Sequence, residues 1–346
     1  MKQRASYCLL ALAFAFAPAS RGADAKPAVD LHQSPTGGTA PVEVSVGLYI
    51  TNFVGIDETR ETFEVGGYVI AQWQDPRLAL PADQRQAPPR TFRLEDLWSP
   101  AIEGANTISH KTNQYSLEAD SKGTVTYRER FGAVYSNNFE FRKFPFDTQV
   151  LVFEFQPFLS AARQIRFAPQ ALRYTGISPE QHTELAAWHL EDLRYTTEKV
   201  GVDPFQPDAR EALFQLTATR RSGFYLWKIF LPLIMITLIP MVAFWIDVKE
   251  FDWILKIPMT MLLSMVAFQF TVTRDLPRVG YITFLDAVFL AGFGFCFLAV
   301  FEITLVFLLQ KHGRRPLAVR LHSAGRWLYP LAYLGVLSIL AVGFLS

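Results

Sequence analysis

The sequence predicts an all-β sandwich of about 180 residues followed by a bundle of four membrane-spanning helices. Three observations predict it. Long apolar segments crowd the last third of the 346-residue chain at 224–246, 253–273, 282–309 and 327–345, each long enough to cross a bilayer. Ahead of them the apolar residues recur at every second position in short runs separated by turn-forming residues. Half of all residues are hydrophobic and only 19% are charged, against the roughly 25% charge of a soluble chain.

Taken in order, residues 1–19 read as a secretory signal. Lys2 and Arg4 give a basic start, Tyr7 to Ala17 an apolar core too short to span, and Ala17-Pro18-Ala19 a small-residue cleavage site. Residues 20–41, with Pro27, Pro35, Gly37, Gly38 and Pro41, read as a flexible leader. The external domain, 42–223, opens on a half-buried strand. Val42, Val44, Val46, Leu48 and Ile50 share one face, and Glu43, Ser45, Gly47 and Tyr49 the other. Further runs follow at Phe63 to Trp73, Thr124 to Phe131, Gln149 to Phe155 and Ala212 to Ala218, broken by turn signals such as Asp75-Pro76 and Asp203-Pro204.

The membrane domain is 224–346. Its third and fourth segments are joined by a stretch holding Lys311, Arg314, Arg315, Arg320 and Arg326 without an acid, the charge pattern of a cytoplasmic loop. The expected placement is therefore a multi-pass protein of the plasma (inner) membrane, with the N-terminal domain and the C-terminus both extracytoplasmic. The short link from Asp247 to Asp252 falls on the inner side and is acidic, with Asp247, Glu250 and Asp252 against Lys249. Charge divides the same way. Of 33 Lys and Arg and 32 Asp and Glu, 10 and 6 lie from Phe224 onward, leaving 23 against 26 before it. The net charge of +1 thus hides a mildly acidic external domain.

Several functions are excluded or unsupported. The chain lacks the basic excess of a nucleic-acid binder. Cys8 leaves with the signal, and Cys296 alone forms neither a disulfide framework nor a cysteine zinc site. The six histidines, His32, His110, His182, His189, His312 and His322, make no His-Glu-x-x-His pair. Neither a Gly-x-Ser-x-Gly elbow nor a phosphate-binding Gly-Lys loop is present. No catalytic residue, cofactor or metal site is assigned. Gly292-Phe293-Gly294 lies in a membrane segment, where small residues serve close helix packing.

The second membrane segment differs from its neighbours. Alternate steps of four and three from Lys256 reach Thr260, Leu263, Ala267, Phe270 and Arg274, one stripe along a helix. The stripe is polar at both ends and apolar in the middle. It suits a helix that lines a water path closed by Leu263 or Phe270, and equally an ordinary bundle helix with Lys256 reaching out at its end. Pro258 is expected to kink or begin this helix.

The segment Phe141-Arg142-Lys143-Phe144-Pro145-Phe146-Asp147-Thr148-Gln149, leading into Glu154-Phe155-Gln156-Pro157-Phe158, resembles the loop that a disulfide closes in animal pentameric ligand-gated ion channels. The flanking cysteines are missing, as in the bacterial branch of that family. The likeness continues through Gly67-Tyr68-Val69-Ile70-Ala71-Gln72-Trp73, through Phe224-Tyr225-Leu226-Trp227 with Pro232, and through Leu276-Pro277-Arg278. It implies a homopentamer around a central pore, with the second helix facing the axis and a small-molecule or proton agonist bound between external domains. The pore would pass small inorganic ions, cations by family analogy, within membrane lipid. It resolves the stripe as pore-lining.

By the same resemblance, Phe158, Tyr195 and Phe205 form one side of the agonist site, and Tyr49 and Tyr68 the neighbour's side. Glu103 matches a carboxylate used by an amine-gated bacterial relative, and aromatic faces with a carboxylate suit a cation. Gln156 stands where that relative has an acid, and Arg128 where it has a neutral amide. The pocket is more positive for both reasons, which admits an acidic or zwitterionic agonist. Asp57, Phe146, Asp147, Arg220 and Pro277 resemble the residues that couple the sandwich to the pore. The competing reading is a non-conducting membrane receptor or binding protein, with a membrane-anchored enzyme third.

Overall fold

The computed structural model describes residues 30–158, 164–180, 187–199, 210–247, 249–274, 276 and 278–345. The expected signal 1–19, residues 20–29 of the leader, Phe205 and Pro277 lie outside them. From Asp30 onward the leader is built of turns that dock on the domain. The Trp98 amide donates to the Leu31 carbonyl at 2.6 Å and Arg77 to that of Asp30 at 2.9 Å.

Two sheets face each other. The larger runs β3 (Arg90–Phe92), β5 (Thr107–Ala119), β6 (Thr124–Ser136), β2 (Thr62–Gln74), β1 (Val42–Asp57) and β8 (Ile165–Phe167), with β9 (Gly176–Ile177) also paired to β1. The smaller runs β10 (Trp188–Lys199), β11 (Arg210–Arg220), β7 (Thr148–Pro157) and β4 (Ile102–Gly104). Period-two alternation dictates which face is buried: Val42, Val44, Val46, Leu48 and Ile50 all point inward. Phe63 and Tyr135 from the larger sheet meet Phe153 from the smaller, with ring centroids 4.9–5.3 Å apart. Close contact between β1 and β2 needs Gly67, because a Cβ there collides with the Tyr49 carbonyl oxygen.

Four helices long and apolar enough to cross a membrane follow: α1 (Gly223–Trp245), α2 (Phe251–Thr273), α3 (Phe284–Lys311) and α4 (Arg315–Leu345). α1 is irregular. It widens by one residue per turn over Leu226–Phe230 and tightens over Ile239–Trp245, where Pro240 has no N–H to donate to the preceding turn. The Thr237 carbonyl in that turn accepts the Tyr329 hydroxyl of α4 at 2.8 Å. Thr283 starts α3 through a reciprocal capping box with Asp286. Gly292 on α3 lets α1 and α2 close in, since a Cβ would sit 2.9 Å from Met265 and 3.0 Å from Thr237, whereas Gly294 faces open space.

Two expectations change here. Pro258 lies inside α2, buried against the bundle, and the helix begins earlier at Phe251. The fourth helix starts at Arg315 and not at Trp327, so Arg315, Arg320 and Arg326 ride on helical turns and the connection is only 312–314. Gly313, at φ 77°, closes α3: its amide donates to Gln310 and that of Arg314 to Leu309. A hydropathy window sees only the apolar part of such a helix and stops at the polar turns that extend it.

Candidate functional site

The sequence-predicted ligand residues fall on the two sheets. Tyr49 and Tyr68 are cross-strand partners on the outer face of the larger sheet, and Arg128, opposite Ile70, stands beside them. With Arg173, Tyr174 and Thr175 they line an open concavity of about 530 Å³. Arg173 reaches over Tyr174, its guanidinium 4.9 Å from the ring centroid and 2.7 Å from the hydroxyl. Sequence reasoning missed these two residues, which sit in a loop without periodicity. On the smaller sheet Glu103 pairs with Gln156, whose amide donates to its carboxylate at 2.9 Å. Phe158 is exposed just past β7, tied back by its amide to the Ala101 carbonyl. Tyr195 packs on Phe214 and donates to the Ala168 carbonyl at 2.8 Å, and burial pushes its phenol up to about 12. Within one chain the two groups lie on different sheets.

Between the sheets is a cavity of about 490 Å³ whose lining includes Trp73, Glu103, His110, Tyr127, Glu129 and Phe155. Glu129 turns inward from β6 and accepts from His110 Nε2 at 2.7 Å, Thr112 at 2.5 Å and Tyr127 at 2.9 Å. The hydrogen bond to Glu129 raises His110, against the cost of burial. Burial raises Glu129, but its three donors outweigh this and lower it. The signs set a pH window. The His110 contribution is complete below its ordinary 6.5 and is lost as pH rises through a higher folded value. That of Glu129 is complete above 4.5 and is lost as pH falls through a lower one. The thermal midpoint is therefore expected to fall between about pH 6 and pH 9 by more in the wild type than in His110→Gln. Equal falls in the two proteins contradict this assignment.

At the base of the sandwich, Arg220 is buried among opposing charges and aromatic faces. It donates to both Asp147 oxygens at 2.7 and 3.0 Å, to Glu58 at 2.5 Å and to the Tyr225 hydroxyl at 3.2 Å. Its guanidinium lies 4.3 Å from the Trp188 centroid and 4.6 Å from that of Phe144. Burial disfavours the charge, but Asp147 and then Glu58 hold Arg220 above the ordinary arginine value. Asp57 is not part of this cluster. It receives the Thr59 and Arg60 amides and faces Arg60 at the surface, so the acid that reaches Arg220 is its neighbour Glu58. Phe146 packs against both Phe230 and Phe284, at 6.0 and 5.8 Å, and those two rings stack on each other at 5.7 Å. The Phe141 amide donates to the Tyr281 hydroxyl, and the Phe284 amide to the Arg142 carbonyl. These contacts join the 141–147 loop to α1 and to the segment between α2 and α3.

On α2 the structure separates two faces. Ile254, Pro258 and Met265 are buried against the bundle. Lys256, Thr260, Leu263, Ala267, Phe270 and Arg274 are all exposed, Leu263 at 71% and Phe270 at 75%. The Thr260 and Thr271 hydroxyls donate to carbonyls one turn back, which presents oxygen along the exposed side. Among the described residues no group of three or more His, Cys, Asp or Glu is placed to hold a metal ion.

Residues 29–222 match the family described as the neurotransmitter-gated ion-channel ligand binding domain. This chain belongs to the pentameric ligand-gated ion channel family. The chain is also similar to the proton-gated ion channel of Gloeobacter violaceus, 26% identical over 305 residues, which cover 88% of this chain and 84% of the relative. That similarity runs beyond the sandwich into the helices, so both halves of the fold share the ancestry. Members of the family are ligand-gated ion channels and not enzymes, and the protein is a multi-pass membrane protein with four apolar helices. In this pentameric ligand-gated ion channel family member, the Arg220 cluster stands where the sandwich meets the membrane bundle.

Proposed function

We propose that the chain forms a homopentameric channel in the inner membrane, opened by a small molecule or by protons acting on the external domains, with α2 lining the pore. The observation that carries this reading is the exposure of all six stripe residues on the side of α2 turned away from its own bundle. Five copies about an axis turn that side inward, so Leu263 or Phe270 forms an apolar constriction between hydroxylic and charged rings. The agonist is bound between subunits. The smaller sheet of one brings Glu103, Gln156, Phe158 and Tyr195 toward the Tyr49, Tyr68 and Arg128 face of the next, a division that fits their placement on different sheets. Phe205 completes the first side. Protons are a candidate stimulus because the Gloeobacter relative is a proton-gated channel.

Binding reaches the pore through Asp147, Arg220, Glu58 and Phe146, with Pro277 in the segment after α2. Charges held out of water at this junction interact strongly enough for a small displacement to bias closed against open. Cations are favoured by family analogy, by the acids Asp247, Glu250 and Asp252 at the inner mouth, and by the mildly acidic external domains, which raise local cation concentration in a salt-dependent way. Rings of Lys256 and Arg274 work against this, although the Lys256 ammonium is drawn 5.2 Å from the Trp253 centroid at the helix start. Purified protein in bilayers, stepped in external pH and screened with amines and amino acids under asymmetric salt, is expected to conduct with a reversal potential that follows the cation gradient. A reversal that follows chloride overturns the selectivity, and silence under every condition favours a non-conducting receptor.

A further inference from the structure

The cavity between the two sheets presents two demands that the chain itself leaves unmet. Trp73 forms part of its wall and is only 2% exposed, yet the indole Nε1–H has no hydrogen-bond partner. The neighbouring Trp98, packed edge-on with centroids 6.1 Å apart, donates its own Nε1–H to Gln164 at 3.3 Å. A buried donor without an acceptor is costly, and native chains rarely leave one. Trp73 calls for an acceptor from the cavity.

The second demand is for positive charge. Glu103 reaches the cavity from β4 and Glu129 from β6, and no lysine or arginine is among the described lining residues. A carboxylate offers about four lone-pair sites. Glu129 fills three of them with His110, Thr112 and Tyr127, whereas Glu103 receives only the Gln156 amide. Two carboxylates stand against one imidazole, so the cavity is acidic whichever form His110 takes. Tyr127, Tyr135, Phe155 and Phe214 join Trp73 in the lining. Aromatic faces beside carboxylates attract an organic cation, and about 490 Å³ is the size of a small-molecule site.

We propose that this cavity is a second ligand site, complete within one subunit, which takes a small primary amine bearing a hydroxyl or carbonyl oxygen. The ammonium donates to Glu103 beside the charge of Glu129, and the oxygen accepts from Trp73 Nε1. A quaternary ammonium has no N–H to give Glu103, and an anion meets two acids. The concavity on the outer face of the larger sheet has the opposite character, since its charged lining residues are Arg128 and Arg173. The two sites therefore select ligands of opposite sign.

Fluorine spectra of full-length protein in lipid nanodiscs, carrying 5-fluorotryptophan and with Trp73→Phe to assign the Trp73 resonance, test this. Ethanolamine, titrated into the millimolar range expected of so small a ligand, is expected to shift that resonance saturably, and ethanol and acetate are not. Glu129→Gln weakens the apparent affinity at least about tenfold, because it removes a charge from a site that water screens poorly. Phe158→Ala, which alters the agonist site outside this cavity, leaves the shift in place. A Trp73 signal indifferent to ethanolamine overturns the site, even where Glu129→Gln fails to fold. A signal that follows acetate instead overturns the choice of a cation. A shift lost in Phe158→Ala and kept in Glu129→Gln assigns the amine to the agonist site and overturns the proposal. None of these outcomes depends on whether the protein conducts ions.

Discussion

Leu263→Ala is expected to give a channel that conducts without stimulus. In a pentamer the five Leu263 side chains, 71% exposed on the single chain, have only one another to bury against. In the proposed channel that contact holds the closed state. Each leucine loses three carbons, at roughly 0.8 kcal/mol per carbon fully buried, so even partial burial across five subunits exceeds the ~1.4 kcal/mol that changes an equilibrium tenfold. Basal conductance rises about tenfold or more, and the stimulus needed for half-maximal opening falls. Macroscopic current before and after stimulation, normalised to protein at the surface, measures both. An unchanged basal current moves the constriction to Phe270, where the same substitution then has the larger effect.

Asp147→Ala is expected to destabilise the protein by about 3–5 kcal/mol, the cost of leaving a buried charge without its partner. Arg220 and Asp147 have side chains 1% and 2% exposed, so no water replaces the lost carboxylate. Glu58→Gln costs less, because Glu58 is 16% exposed and the pair with Asp147 remains. Asp57→Ala is close to neutral, since its partner Arg60 is 82% exposed and surface pairs contribute little. Thermal unfolding of the purified protein gives this order directly. If Asp57→Ala and Asp147→Ala prove equally harmful, the coupling acid has been misplaced.

That substitution series marks where the sequence could be read and where it could not. Alternation from Val42 to Ile50 identified β1, because one face is buried and the other is not. The same logic failed for β5, whose residues from Ile108 to Tyr115 are exposed on both faces and carry no alternation. Asp57 and Glu58 are adjacent acids in one turn. Only the direction in which that turn presents its side chains decides which reaches Arg220, and no periodicity records it. The ligand residues were legible as types on strands, whereas Arg173 and Tyr174 come from an irregular loop brought beside Tyr49 by parallel pairing of β9 with β1. The α2 stripe was legible because a period near 3.5 survives on one continuous helix. Hydropathy gave α4 from Trp327 and missed its first turns, since His322 and Arg326 look like loop residues until their carbonyl partners, Ile246 and Phe244 at the end of α1, are seen.

Accessibility along α2 tests the central claim most directly. In a background with Cys296 replaced by serine, single cysteines are placed at Lys256, Thr260, Leu263, Ala267, Phe270 and Arg274, and for comparison at Ile254 and Met265. A charged, water-soluble thiol reagent applied during stimulation is expected to change the current at the six stripe positions and to leave the two bundle-facing positions untouched. Modification without regard to the stripe, or at Ile254 and Met265 in preference to it, contradicts a pore lined by this face of α2.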